Sequence, residues 1–133
     1  MYTSIIQVSE QFQDSVGPEW VGIDHVQLAM PPGGEPVARE FYVGVLGFAE
    51  MPKPPAMAAR GGCWFEAGAV KLHLGAEAEF VAARTAHPAL LLHGLSDFVA
   101  ARELSAIWND EIVGTVRCHI DDPFGNRIEL IEA

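Results

Sequence analysis

Residues 121–132 read DDPFGNRIELIE, a cluster of turn-forming residues (Asp122, Pro123, Gly125, Asn126) running into an alternating stretch in which Glu129 stands between Ile128 and Leu130. In an extended chain successive side chains point to opposite faces of the sheet. The carboxylate therefore goes to one face while its apolar neighbours go to the other. Three further segments share this design: GIDHVQLAM (22–30) around His25, VKLHLG (70–75) around His73, and HPALLL (87–92), which opens on His87. Each sets a residue able to hold a metal among apolar neighbours at strand-like spacing. The interval from His25 to His73 nearly equals that from His87 to Glu129. Such regularity points to an internal repeat, each half opening on a strand, running through a helix-like stretch and closing on a strand that carries a second donor.

Working outward, the pattern predicts a strand over 21–29, a turn at PPGGEP (31–36) and a helix over 37–46. Strands are expected near 49, over 63–66 and over 69–74, while MPKPPAMAARGG (51–62) is too rich in Pro and Gly to be regular and reads as a loop at a cavity mouth. The second half predicts a strand over 88–92, a helix over 97–108 with Ser96 as N-cap, and strands within 112–120 and over 127–131. Phe41 and Val45, like Phe98 and Arg102, lie four apart, so one face of each helix can rest on a sheet. The result is an α+β fold of two βαβββ modules, about 20–76 and 85–133, in a single domain. Residues 1–19 stand apart as a polar-rich arm ending at the Gly17-Pro18 breaker, either packed on a partner chain or, as is more common for such termini, mobile.

These segments resemble the vicinal oxygen chelate superfamily, which includes glyoxalase I, fosfomycin-resistance thiol transferases, methylmalonyl-CoA epimerases, extradiol dioxygenases and bleomycin-binding proteins. The resemblance rests on IDHVQLAM, REFYVGVLGF, LHLG, HPALLL and DDPFGNRIELIE, and spans roughly residues 20–133. It implies curved sheets cupped around a metal or ligand cavity. In short two-module members the opposing module often comes from a second subunit, which implies a homodimer with metal sites between chains. His25 and His73 of one copy would then face His87 and Glu129 of the other.

Composition narrows the partners. A chain of 133 residues with half its residues apolar suits one domain with one core. Eight basic against 18 acidic residues give a net charge of −10, which disfavours nucleic acid and anionic membranes. No stretch approaches the roughly 18–20 apolar residues of a membrane span, and no basic segment followed by an apolar run marks a secretory signal. A cytoplasmic location is the default expectation. Cys63 and Cys118 lack CxxC spacing and read as free thiols.

Three neutral imidazoles and one carboxylate form an N₃O set suited to Zn, Ni, Co, Mn or Fe as divalent ions, and ill suited to Ca or Mg. Four protein ligands on a six-coordinate ion leave two adjacent positions for a substrate with two neighbouring oxygens. Glyoxalase I carries a glutamate where LHLG places His73, so Glu129 is the remaining carboxylate base and hemithioacetal isomerisation should be weak or absent. His25, His87 and Glu129 match the His-His-Glu set of the fosfomycin-resistance enzymes. His73 then becomes an added ligand or a substrate contact.

By alternation Gln27, Lys71 and Arg127 share the donor faces, and His119 and Arg117 share one face of the preceding strand. These five are candidate substrate contacts for a carboxylate or phosphonate. His93 reads as a loop residue, and Trp64, Phe65, Trp108 and Phe124 as core or cavity wall. The leading reading is a glyoxalase-like metal-dependent lyase, isomerase or thiol transferase acting on a small molecule. A non-catalytic binder of the bleomycin-resistance type is the alternative, and a ring-cleaving dioxygenase the weaker third.

Overall fold

Alternation at the end of the chain has the expected physical result: Ile128 and Leu130 are buried on one sheet face, and Glu129 takes the other. The computed structural model describes residues 17–133, in the order β1 (Val26–Met30), α1 (Glu35–Tyr42), β2 (Ala49–Met51), α2 (Pro55–Ala58), β3 (Cys63–Ala67), β4 (Val70–Ala76), β5 (Ala89–Leu92), α3 (Leu95–Ala101), β6 (Ile107–Asn109), β7 (Arg117–Asp121) and β8 (Arg127–Glu132). Residues 1–16 of the expected arm lie outside the described residues, and 17–25 carry no helix or strand.

The strands form two four-stranded sheets of identical topology, β1-β4-β3-β2 and β5-β8-β7-β6. In each, the first pair is parallel and the other two antiparallel. A parallel pair needs a crossover, supplied here by the helix and hairpin strands between its members. The repeat holds residue by residue. His73 pairs with Gln27 and Trp64, and Glu129 with Ala89 and His119. The registers thus make His25 equivalent to His87, His73 to Glu129, Trp64 to His119 and Cys63 to Cys118.

The core lies on the opposite faces. Leu28, Met30, Phe65, Leu72 and Leu74 of the first sheet and Cys118, Ile120, Ile128 and Leu130 of the second are buried, with Ala38 and Tyr42 of α1 and Leu95 and Val99 of α3 packed into the same cluster. Burying each large side chain contributes about 1.5–3 kcal/mol. Polar bonds tie the modules together. Tyr42 OH donates to Asp122 Oδ2 (2.7 Å), and Asn126 Nδ2 donates to the Ala29 carbonyl (2.8 Å).

Several elements differ from the sequence reading. β1 begins at Val26, where its pairing with β4 starts, so His25 sits just ahead of the strand. α1 is shifted toward the N-terminus: Pro36 fits its first turn, which needs no N–H there. Beyond Tyr42 the backbone widens, with Val45 and Leu46 both donating to the Phe41 carbonyl. Within 51–62, expected to be irregular, Pro55–Ala58 forms a short helix.

α3 ends at Ala101 rather than near 108, because Glu103 adopts a left-handed conformation (φ 53°) that stops it. Ile107–Asn109 is instead the edge strand β6, and 112–116 lie outside β7. Ser96 falls inside α3 and does not cap it. Gly94 is the N-cap, and the Glu132 carboxylate at the end of β8 accepts from Leu95 N (2.9 Å) and Gly94 N (3.1 Å).

Candidate metal centre

Three neighbouring strands of the second module bring donors together. Glu129 lies on β8, His119 directly opposite it on β7, and His87 two residues before its β5 partner Ala89. His87 Nε2 is 3.1 Å and His119 Nε2 3.6 Å from the same oxygen, Glu129 Oε1. The other carboxylate oxygen, Oε2, accepts from Arg117 Nη1 (3.0 Å), while Arg117 Nη2 donates to Asn109 Oδ1 (3.0 Å). Arg117 Nε is buried without a partner among the described residues. The hydrogen bond from His87, joined by the Arg117 guanidinium, holds the Glu129 carboxyl below the usual carboxylate range despite its burial.

The surroundings of His87 test whether a metal fits. Its Nδ1 faces two backbone carbonyls, Thr85 (2.9 Å) and Arg84 (3.2 Å), which can only accept, so Nδ1 carries the proton. Nε2 then faces a carboxylate oxygen, which also only accepts, so the two hydrogen-bond only when Nε2 carries a proton as well. A second positive centre, either another proton or a metal ion, must stand between them. Protein metal sites commonly fix a ligating histidine in this way, by an outer N–H donated to a backbone carbonyl that leaves the inner lone pair for the ion. The residues present fit a divalent transition metal.

The first module holds a different arrangement. His73 is buried in a stack of three rings, with Trp64 on one side (centroids 4.3 Å apart, 7° between planes) and His25 on the other (4.0 Å, 17°). Burial, and after it the neighbouring His25, pushes the His73 imidazole toward the neutral form. His25 Nδ1 donates to Asp24 Oδ1 (2.9 Å), and its Nε2 has no hydrogen-bond partner among the described residues. Of the four donors expected from sequence, one chain therefore brings His87 together with Glu129 and His25 together with His73, as two separate pairs. No cluster of metal-binding groups other than His87, His119 and Glu129 occurs among the described residues.

The expected substrate contacts divide in the same way. Arg117 and His119 are part of the Glu129 cluster. Lys71 lies close enough to His73 and Asp24 for its charge to act on both. Gln27 is exposed, its amide over the site where Gly75 lacks a side chain. Arg127 lines a cleft of about 500 Å³ between α1 and the ends of β7 and β8, which His119 also borders. Sequence reasoning did not single out Asn109 or the stacking role of Trp64. Counting back across the Gly68 turn would have set Trp64 opposite His73. Asn109 lies just past the segment read as helix, 97–108.

No protein-family model matches the sequence, and no curated protein matches it. Solved structures do. A glyoxalase family protein from Bacillus anthracis is 39% identical, over 88% of this chain and 98% of that one, with a TM-score of 0.84. A glyoxalase/dioxygenase from Nostoc punctiforme (17% identity, 89% and 98% covered, TM-score 0.64) and the fosfomycin resistance protein FosX from Listeria monocytogenes (11% identity, 86% and 95% covered, TM-score 0.64) share the fold. The paired βαβββ modules and the first of these relatives together establish that the chain belongs to the glyoxalase family of the vicinal oxygen chelate superfamily. No described helix is long and apolar enough to cross a membrane.

Proposed function

We propose that this protein is a metal-dependent enzyme, a lyase, isomerase or thiol transferase, acting on a small molecule that presents two neighbouring oxygens. The observation that carries this reading is the His87 imidazole held between backbone carbonyls and the Glu129 carboxylate, an arrangement that a metal ion between Nε2 and Oε1 would complete. A divalent transition ion held by His87 and Glu129 would supply Lewis acidity toward such a substrate. Arg117, after His87, helps hold the Glu129 carboxyl below its usual range, and by occupying Oε2 it leaves Oε1 toward the imidazoles. The same ion pair makes Glu129 a weak base, matched to a proton already acidified by the substrate's own carbonyl. Gln27, Lys71 and Arg127 remain candidate contacts for an anionic part of the substrate.

In the purified protein we expect stoichiometric transition metal. Glu129→Gln should keep the folded circular dichroism spectrum, lose most of the metal and abolish turnover, and hemithioacetal isomerisation by the unmodified protein should be weak or absent. A metal-free protein that still binds small molecules would instead favour the binder of the bleomycin-resistance type.

The working unit is proposed to be a homodimer in which His25 and His73 of one copy face His87 and Glu129 of the other. Two features support it. The donor pairs of one chain are apart, and apolar side chains are exposed beside each: Trp20, Val21 and Ile23 ahead of His25, and Leu91 and Ile107 on the donor face of the second sheet. Chelation should loosen such a dimer. Light scattering with and without chelator measures this, and a monomer at micromolar concentration with metal fully bound would overturn it.

A further inference from the structure

We infer that the cleft of about 500 Å³ bordered by His119 is an anion-binding site, one that takes the phosphate group of a small phosphate monoester. The inference rests on the metal reading above only for where the other end of that ligand goes. The chain has 8 basic residues against 18 acidic ones, yet Arg84, Arg102 and Arg127 all line this one cleft. On a protein of net charge −10 most of the surface repels anions, so a basic cleft is where one can settle.

The register of the second sheet explains why positive charge is left over here. Arg127 on β8 lies directly opposite Asp121 on β7, a cross-strand carboxylate placed to neutralise it. Arg84, from the segment before β5, takes that carboxylate instead: its Nη1 donates to Asp121 Oδ1 (2.7 Å) and to the Gly125 carbonyl (2.9 Å). Half-buried Arg127 is thereby left without an ion pair among the described residues. Arg102, just past α3, has none there either. Its Nη1 donates to the Gly44 carbonyl at 3.3 Å, and its guanidinium stands 5.7 Å from the centre of the Phe98 ring. Of the two acidic residues that line the cleft, Asp121 is engaged by Arg84 and Glu103 is exposed.

Two guanidiniums without carboxylate partners match the two charges of a phosphate monoester, and their planar forks suit its oxygens. Ser105 adds a hydroxyl, while Phe41, Val45 and Leu104 supply an apolar lining for the body of the molecule. His119 borders both this cleft and the Glu129 cluster. Arg127 precedes Glu129 by two residues on the same face of β8, roughly 6.8 Å along the strand. A short molecule therefore reaches both, with its phosphate among the arginines and its oxygens at the ion.

The test is calorimetric titration of the chelator-treated full chain with inorganic phosphate, so that no metal ion supplies the binding. Ionic strength is held constant, at about pH 8, where phosphate is a dianion. One phosphate should bind per chain, about tenfold or more tighter than acetate, which carries one charge and two oxygens. Arg127→Gln should weaken binding by about 10- to 100-fold, the range of charge-assisted hydrogen bonds. Arg102→Gln, at an exposed position where folding is not at stake, should weaken it by about fivefold or more. Arg60→Gln, away from the cleft, should stay within about twofold. Absence of phosphate binding up to about 20 mM, or an affinity that Arg102→Gln leaves no weaker than Arg60→Gln does, would overturn the inference. The two readings fail separately. Phosphate binding by a chain that takes up no Co²⁺ would remove the metal reading and leave the cleft, and Co²⁺ binding without phosphate binding would do the reverse.

Discussion

The two modules share one topology and one register, yet they hold equivalent residues by different forces. In the first, His25, His73 and Trp64 form a stack of rings. In the second, the equivalent His87, Glu129 and His119 gather around a carboxylate anchored by Arg117. The contrast extends to the β-hairpins. β3 and β4 are joined by a two-residue turn, with Gly68 at φ 57°. β7 and β8 are joined by a turn built around buried Asp122, which accepts from Tyr42 OH, Phe124 N, Asn126 N and Asn126 Nδ2. It extends also to the helix starts, since α1 relies on its own Pro36 and Glu35 whereas α3 borrows the carboxylate of Glu132. A common frame thus carries a lightly constrained half and a half cross-braced by side-chain carboxyl acceptors.

The largest effect should come from the brace between modules. Asp122→Ala strands several buried donors and should cost about 3 kcal/mol, whereas Gly68→Ala at the simpler hairpin should cost about 1 kcal/mol for its left-handed backbone. Urea unfolding of both variants measures the difference, and equal losses would erase the distinction between the turns. A smaller effect should follow pH. Hydrogen bonds from Leu95 N and then Gly94 N hold the Glu132 carboxyl below its usual range. A carboxyl with a depressed folded value contributes stability above its ordinary value of about 4.3, and that contribution fades as pH falls through the folded value. The unmodified protein should therefore exceed Glu132→Gln in melting temperature near neutrality and lose that advantage in acid. A gap that stays constant with pH would mean the carboxylate's charge does not cap α3.

The repeat and the placement of donors were legible because both rest on a period of two, which the sequence states directly at Glu129 and His73. What escaped depended on distance along the chain. Ser96 carries a local capping signal, but the acceptor that reaches α3 comes from Glu132 on another element. Ile107–Asn109 looks like a continuation of α3, and only the left-handed turn at Glu103 separates them. Parity also assigns a side chain to a face without saying which faces of one chain meet. Parity alone groups His25 and His73 with His87 and Glu129; within one chain they stand as two pairs, and the register of β7 on β8 sets His119 opposite Glu129.

The alternation through Arg127–Glu132 bears on how such a protein can vary by descent. Replacing one donor by another leaves the frame untouched, and equivalent positions of the halves do carry different donors, histidine at 73 and glutamate at 129. Deleting a single residue between Asn126 and Glu129 would do something else: it would turn the carboxylate into the apolar interior and expose its neighbours in its place. Exchange of side chains is therefore open to selection at these strands, while insertion and deletion are confined to the loops that join them.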